Sequence, residues 1–556
     1  MTKSLNLHDI QGNVIRAYGR FSFPFARYFF FNISNPKEGR KFVDAVREKV
    51  TTGARWPEEA QKPDCTVNIG FSFFGLWALE VPTRTLKGMP AEFAQGMKAR
   101  AFVLGDRDNT KVADEDLNWD AHWDPVWRNN RANEDNGVLS DNVHIWISLN
   151  AQLKQLGKAE PVDALEEKTD WLRDLVSASG GGVKLLKCGH KANKDYQEAN
   201  AVFDRYGDTD LPTPKEHFGF ADGIGDPVFE GQYRPQEMPD KVIGRGKRVD
   251  GKWEAIAAGE FILGHPDESQ ELPPAAMPPE FSHNGTFMAF RKLHENVTSF
   301  EEVLKKETQR FANVMGVPED EARDVLMAKM CGRWPDGIPL ALFPTYEAWQ
   351  EKRKALGFTD PDPGKALLNQ AKYIHSPAAA DFRYADDMPG YKVPGGAHIR
   401  RVNTRDYLDP LNEGGVDSSG TPHPNQKATD ALNNRRRVLR RGLPYGESDP
   451  KQNSDETEQG VAMMLVGASL FRQFEFVQQQ WIQYGLDFHQ GNNTCPMLGD
   501  HRNYTRHTIP SDPKTGKPPY IMSKLRTFVE CRGGEYFFIP SMTSLRMIAM
   551  GVVDPT

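Results

Sequence analysis

The chain has little cysteine, no long apolar run and no dominance of one charge sign, and each lack removes a class of protein. Its five cysteines (Cys65, Cys188, Cys331, Cys495, Cys531) are widely spaced, and none forms a Cys-x-x-Cys pair. This spacing argues against a disulfide framework, a zinc ribbon, an iron–sulfur cluster and covalent c-type haem attachment. No stretch approaches 18 consecutive apolar residues, and the first residues show neither an apolar signal core nor a twin arginine. A cytoplasmic chain outside the membrane is therefore expected. Lys plus Arg (69) against Asp plus Glu (76) leaves a net charge of -7, without the basic stripe that nucleic-acid binding needs.

What is present is length and polar loop. The 556 residues exceed what one hydrophobic core usually spans, so two packed domains are expected. Two aromatic strand patterns recur, Arg27-Tyr-Phe-Phe-Phe-Asn-Ile33 and Gly285-Thr-Phe-Met-Ala-Phe-Arg291. Each precedes a helix-compatible stretch, Pro36–Val50 and Ser299–Met315, which suggests a repeated strand–helix–strand plan. Further strand candidates are Thr66–Phe74, Val143–Leu149, Leu525–Val529 and Tyr536–Pro540, so an α+β arrangement of mostly antiparallel strands is predicted. Polar, Pro- and Gly-rich loops cover Glu230–Lys252, Asp360–Lys365, Asp406–Asn434 and Glu447–Gly460. The last two bracket a short apolar element, Val438–Tyr445, as loops around a site often do.

Three segments carry candidate chemistry. In His217-Phe-Gly-Phe-Ala-Asp-Gly-Ile-Gly-Asp-Pro227, Asp222 precedes Gly223 on a stretch too rich in glycine for a helix or central strand. Such a loop can press its backbone against a flat ligand, although for the segment alone a plain Asx-turn is the preferred reading. In Val393-Pro-Gly-Gly-Ala-His-Ile-Arg-Arg-Val-Asn-Thr-Arg405 one histidine is followed by three arginines. A haem needs an imidazole for its iron and cations for its propionates. His398 can supply the first and Arg400, Arg401 or Arg405 the second, whereas a lone histidine is more often structural. The third segment, Val438-Leu-Arg-Arg-Gly-Leu-Pro-Tyr-Gly446, sets Arg440 and Arg441 among apolar positions, facing either a cavity or the surface. The neighbouring Arg435–Arg437 reads as a solvated run.

Taken in this order, Gly-x-x-Asp-Gly, Ala-His-Ile-Arg-Arg and Arg-x-Gly-Leu-Pro-Tyr-Gly resemble the dye-decolorising peroxidase family, in its larger cytoplasmic branch. Supporting matches are Asp9-Ile-Gln-Gly-Asn13, Gly259-Glu-Phe-Ile-Leu-Gly264, Lys329-Met-Cys-Gly-Arg-Trp334, Gln473-Phe-Glu-Phe476 with Trp481, and Arg532-Gly-Gly-Glu-Tyr-Phe-Phe-Ile-Pro540. The resemblance implies two ferredoxin-like domains, here placed at 1–215 and 216–556, with haem b held mainly by the second. It makes His398 the proximal iron ligand, Asp222 the distal acid–base residue and Arg440 the distal arginine, with Arg441 ranked second. It implies hydrogen peroxide as oxidant and dyes, phenolics or other small aromatic molecules as reductants. The alternatives are a haem-binding or haem-trafficking protein with incidental turnover, and a cofactor-free scaffold. Three positions depart from the family: Val393 stands where cysteine is frequent, and Met463 and Met464 stand where Leu and Phe line the distal pocket. By position, Glu475 and Asp487 are candidates to accept the second ring N–H of His398.

Overall fold

The computed structural model describes residues 5–57, 61–106, 123–128, 142–412, 428–447, 454–501 and 505–552. Parts of the loops Asp406–Asn434 and Glu447–Gly460 lie outside the described residues.

The first half runs β1 (Phe25–Ile33), α1 (Pro36–Arg47), β2 (Cys65–Phe71), β3 (Ile145–Ala151), α2 (Ala164–Ala178) and β4 (Val183–Leu185). β5 (Gln197–Asn200) pairs with the beginning of β1. The second half contributes β6 (Thr286–Glu295), α3 (Val297–Met315), α4 (Glu319–Cys331), α5 (His398–Val402), β7 (Leu439–Tyr445), β8 (Gly460–Gly467), β9 (Val529–Ile539) and α6 (Met542–Met550). The sheet order is β7-β8-β6-β9-β2-β3-β1-β4. Within each half the strands therefore lie in the order fourth, first, third, second, which is the ferredoxin-like arrangement, and the recurrent strand–helix pattern marks a true duplication. The halves meet where Phe538 of β9 pairs with Phe71 of β2. At the far end the sheet curves until β7 comes alongside β5.

Local chemistry sets the elements. β1 is buried at every position, as a strand covered on both faces must be. α1 starts because Asn35 caps it, accepting from the N–H groups of Lys37 and Glu38, with Pro36 at the first turn. β6 is buried at every position but Leu293 although it carries Arg291 and Lys292, because Arg291 pairs with Asp106 and Lys292 with Asp124. The strand expected at Thr66–Phe74 stops at Phe71, where Ser72 caps a short helix by accepting from Gly75. The two candidates at Leu525–Val529 and Tyr536–Pro540 become one strand, β9, that begins only at Val529.

Side chains alternate across the sheet. One face points inward: Phe290 packs edge-on against Tyr28 and Phe30, ring centres 5.7 and 5.3 Å apart, and lies 5.6 Å from Trp127. On the outer face of the first half a helix sits directly on the strands, with Phe42 of α1 against Phe31 at 5.1 Å. The second half differs. The outer face of β6, β8 and β9 presents Arg291, Leu293, Glu295, Val461, Met463, Leu465, Val529 and Cys531 to a cavity. A second apolar cluster, including Phe300, Leu326, Trp334 and Trp481, forms the layer beyond it. The pleat separates the two methionines: Met463 faces the cavity, while Met464 packs into the inner core.

Because Phe290 belongs to the second half and its ring partners to the first, Phe290→Ala should cost about 3–5 kcal/mol. Its urea unfolding midpoint should fall for probes in both halves, and a fall confined to one half would contradict a shared core.

Candidate active site

Asp222 sits on the loop predicted to be irregular. Gly219, Gly223 and Gly225 all take positive φ (93°, 80° and 78°), which glycine adopts without penalty. The Asp222 N–H donates to Pro214 O at 2.9 Å. Both carboxylate oxygens are held: Arg440 Nη1 donates to Oδ1 at 3.1 Å and Arg20 Nη2 to Oδ2 at 3.3 Å. Burial alone pushes this carboxyl up, but Arg440, Arg20 and the Gly223 N–H outweigh it and hold its pKa well below the usual carboxylate range. Arg440 is fixed in turn, donating through Nη2 to Ile224 O at 2.6 Å, while its own N–H donates to Asp226 Oδ1 at 2.9 Å.

Arg441 follows the pleat to the other face. It is buried, donates to Asn13 O and Val14 O, and pairs with Asp226 at 2.8 Å. The choice of Arg440 over Arg441 is thus a matter of strand alternation.

His398 opens α5 and lines the same cavity as Asp222 and Arg440. Its Nδ1 lies 3.4 Å from Cys495 Sγ. With the proton on Nδ1 and the sulfur accepting, Nε2 keeps its lone pair, the form a metal-ligating imidazole needs. Neither carboxylate suggested by position plays this part. Glu475 accepts from Tyr536 Oη and pairs with Arg100, and Asp487 accepts from Trp481 Nε1 at 3.0 Å. Cys495 was not foreseen, since its sulfur is 97 residues from the histidine.

The arginines beside His398 do not face the cavity. Arg400 is fully buried, bonded to Asp387 and Val393 O, and stacked between Tyr384 and Tyr407 at 4.7 and 4.1 Å. Arg401 donates to the carbonyls of Gly396, Trp481, Tyr484 and Asn493. Both brace the histidine loop. Arg405 lies 3.9 Å over the Phe382 ring and donates to Phe382 O, yet its Nε and Nη2 are buried with no partner among the described residues. Gly223 contributes its N–H to Asp222.

Cations at the cavity come from elsewhere. Arg333 and Arg437 line it, so Arg435–Arg437 is no solvated run. Arg437 is buried and donates to Gly225 O, Arg436 stacks on Phe476, and Arg435 pairs with Asp267. Burial and the nearby Arg405 push Arg333 down to about 10 and Arg437 down to about 9. Two buried guanidiniums on the cavity wall, each depressed by burial and the nearby Arg405, call for an anion, and the two propionates of haem are a fitting dianion. The orphaned Nη2 of Arg405 and the free Nε2 of His398 fit the same group. Arg333 lies in the Lys329–Trp334 motif, whereas nothing in sequence marks Arg20, which reaches Asp222 from 202 residues away.

Comparisons with known proteins agree. Residues 9–169 match the family model described as DyP dimeric alpha+beta barrel domain. A dye-decolorizing peroxidase of Mycetinis scorodonius is 24% identical over 98% of this chain and 88% of its own. One of Exidia glandulosa is 27% identical over 69% of this chain and 68% of its own. Among solved structures, a fungal DyP-type peroxidase from Auricularia auricula-judae shares the fold at TM-score 0.66 and 21% identity, covering 98% of this chain and 100% of that one. Fold, cavity and relatives together define a haem peroxidase. Over nearly its whole length the chain is similar to dye-decolorising peroxidases. Among the described residues no helix is long and apolar enough to cross a membrane.

Since Arg440 and Arg20 hold Asp222 ionised, removing either guanidinium should raise its pKa toward the ordinary value of about 3.9. A carbon-13 NMR titration of the Asp222 carboxyl should show protonation at higher pH in Arg440→Leu and Arg20→Leu than in the parent. Superimposable curves would remove the electrostatic clamp from the argument.

Proposed function

We propose that this peroxidase holds haem b through His398, handles hydrogen peroxide with Asp222 and Arg440, and oxidises dyes, phenolics or other small aromatic donors. The observation that carries the reading is the clamped carboxylate. Haem storage alone needs an imidazole and propionate contacts, whereas an aspartate held between two guanidiniums on the wall of that cavity serves reaction chemistry. The family resemblance supports His398 as ligand, and the 3.4 Å contact of its Nδ1 with Cys495 Sγ leaves Nε2 as the nitrogen for the iron. Arg333 and Arg437, on the cavity wall, are assigned to the propionates, with Arg405 near both, while Arg400 and Arg401 position the His398 loop.

When bound, haem supplies the iron that takes peroxide and passes electrons to it. The protein's part is positioning and charge. Arg440 offers a permanent cation where peroxide gains negative charge. Asp222 can accept a proton at Oδ2 once the longer bond to Arg20 yields, and can return it. Because its pKa lies low, the carboxylate remains a base as the pH falls, so its ionisation should not limit activity until well below about pH 4.

We also infer a division into residues 1–215 and 216–556. What supports it is that β1 to β5 precede that boundary and β6 to β9 follow it.

Asp222→Ala and Arg440→Leu should retain the haem spectrum yet react with peroxide about 10²–10⁴-fold more slowly, as measured by stopped flow. Parent-like rates in both would remove their assigned roles. His398→Ala should weaken haem binding or alter the axial-ligand bands, and an unchanged absorption spectrum would refute ligation.

A further inference from the structure

Two more carboxyl groups line the same cavity, and the chemistry above leaves them unused. Glu216 belongs to the loop that carries Asp222, and Glu295 ends β6. Glu216 Oε1 accepts from the Phe220 N–H at 2.8 Å and Oε2 from the Phe218 N–H at 2.9 Å. Glu295 is buried, takes the His217 N–H, and is hydrogen-bonded to the Glu216 carboxyl. Its Oε2 is buried and finds no donor among the described residues.

Two carboxyl groups in hydrogen-bond contact cannot both be ionised, so the pair holds a proton. The two backbone donors favour charge on Glu216, which leaves the proton on Glu295. The charged and titratable groups around the pair are Asp222, Arg20, Tyr445 and Cys331. Arg20 and the N–H groups of Phe218, Phe220 and His217 oppose protonation, and Arg20 is already bonded to Asp222. Burial raises both glutamates above the ordinary carboxylate range, and the charge of Asp222 adds to the rise. One cavity thus contains a carboxylate held ionised and a carboxylic acid held neutral, an arrangement that separates the tasks of base and acid.

We propose that Glu295 and Glu216 are the proton store of the site, delivering a proton toward Asp222 during peroxide reduction and refilling from solvent. Reducing one hydrogen peroxide to two waters consumes two electrons and two protons. The aromatic donors provide the electrons, and the pair provides a proton that Asp222, clamped by Arg440 and Arg20, retains too weakly to store. This inference rests on the peroxidase reading of the cavity.

The experiment has two readouts. Infrared difference spectra of the apoprotein near neutral pH should contain a protonated-carboxyl band that disappears in Glu295→Gln and shifts in Glu216→Gln. In the haem-loaded protein the same variants should keep the parent absorption spectrum, react with peroxide at least about tenfold more slowly at neutral pH, and lose the dependence on a group titrating there. If Glu295→Gln fails to fold, Glu216→Gln on the loop carries the test. A band untouched by either substitution, or an unchanged pH–rate profile, overturns the proposal. A parent protein that shows the band but binds no haem overturns the peroxidase reading while leaving the acid pair standing.

Discussion

A guanidinium withdrawn from water must find an anion or a set of carbonyl oxygens, and the architecture of this chain follows from how its buried arginines meet that demand. Arg291 does so with Asp106, Arg400 with Asp387, Arg441 with Asp226, and Arg401 with four carbonyls. Each solution ties together segments distant in sequence. Arg441 joins β7 to the N-terminal turn at Asn13, and Arg401 joins the His398 loop to the residues around Tyr484. Where the demand is only partly met, as at Arg405, whose Nε and Nη2 find no partner among the described residues, the protein has a place for an anion. The Asp222 clamp stands between these extremes: Arg20 of the first half and Arg440 of the second converge on one carboxylate and lock the glycine-rich loop between them.

The legible part of the fold was its repeat. Aromatic strands followed by amphipathic helices appear twice, and burial on both faces writes itself into sequence as unbroken hydrophobic runs. At the site, Asp222, His398 and Arg440 could be picked out because motif order binds them, and they do line one cavity. What could not be read depended on direction and distance. One residue along a strand reverses a side chain, which separates Arg440 from Arg441 and Met463 from Met464. An arginine satisfied by carbonyls resembles one awaiting a ligand, so Arg400 and Arg401 were credited with propionate contacts that their bonding excludes. Arg20, Cys495 and the Glu216–Glu295 contact are long-range pairings with no local signature.

The sulfur beside His398 sets this imidazole apart from one backed by a carboxylate. Sulfur accepts a hydrogen bond weakly and at longer range, so the ring is oriented with less withdrawal of its proton. The clamped aspartate on the same cavity, in contrast, lies in a strong field. On the proposed reading, control of reactivity is concentrated at Asp222 and its two arginines, with the histidine chiefly held in place.

The two halves share a strand order, but only the first is filled in. There α1 rests on the outer face of the sheet, Phe42 against Phe31. In the second half the matching face looks across a gap to an apolar roof built from distant stretches of chain. A flat, largely apolar macrocycle with two charged ends suits such a gap: its faces can meet floor and roof, and its carboxylates the unpaired guanidiniums. On the proposed reading the cofactor is part of the architecture as well as of the chemistry, and the duplication consists of one complete copy and one whose missing layer the haem would supply.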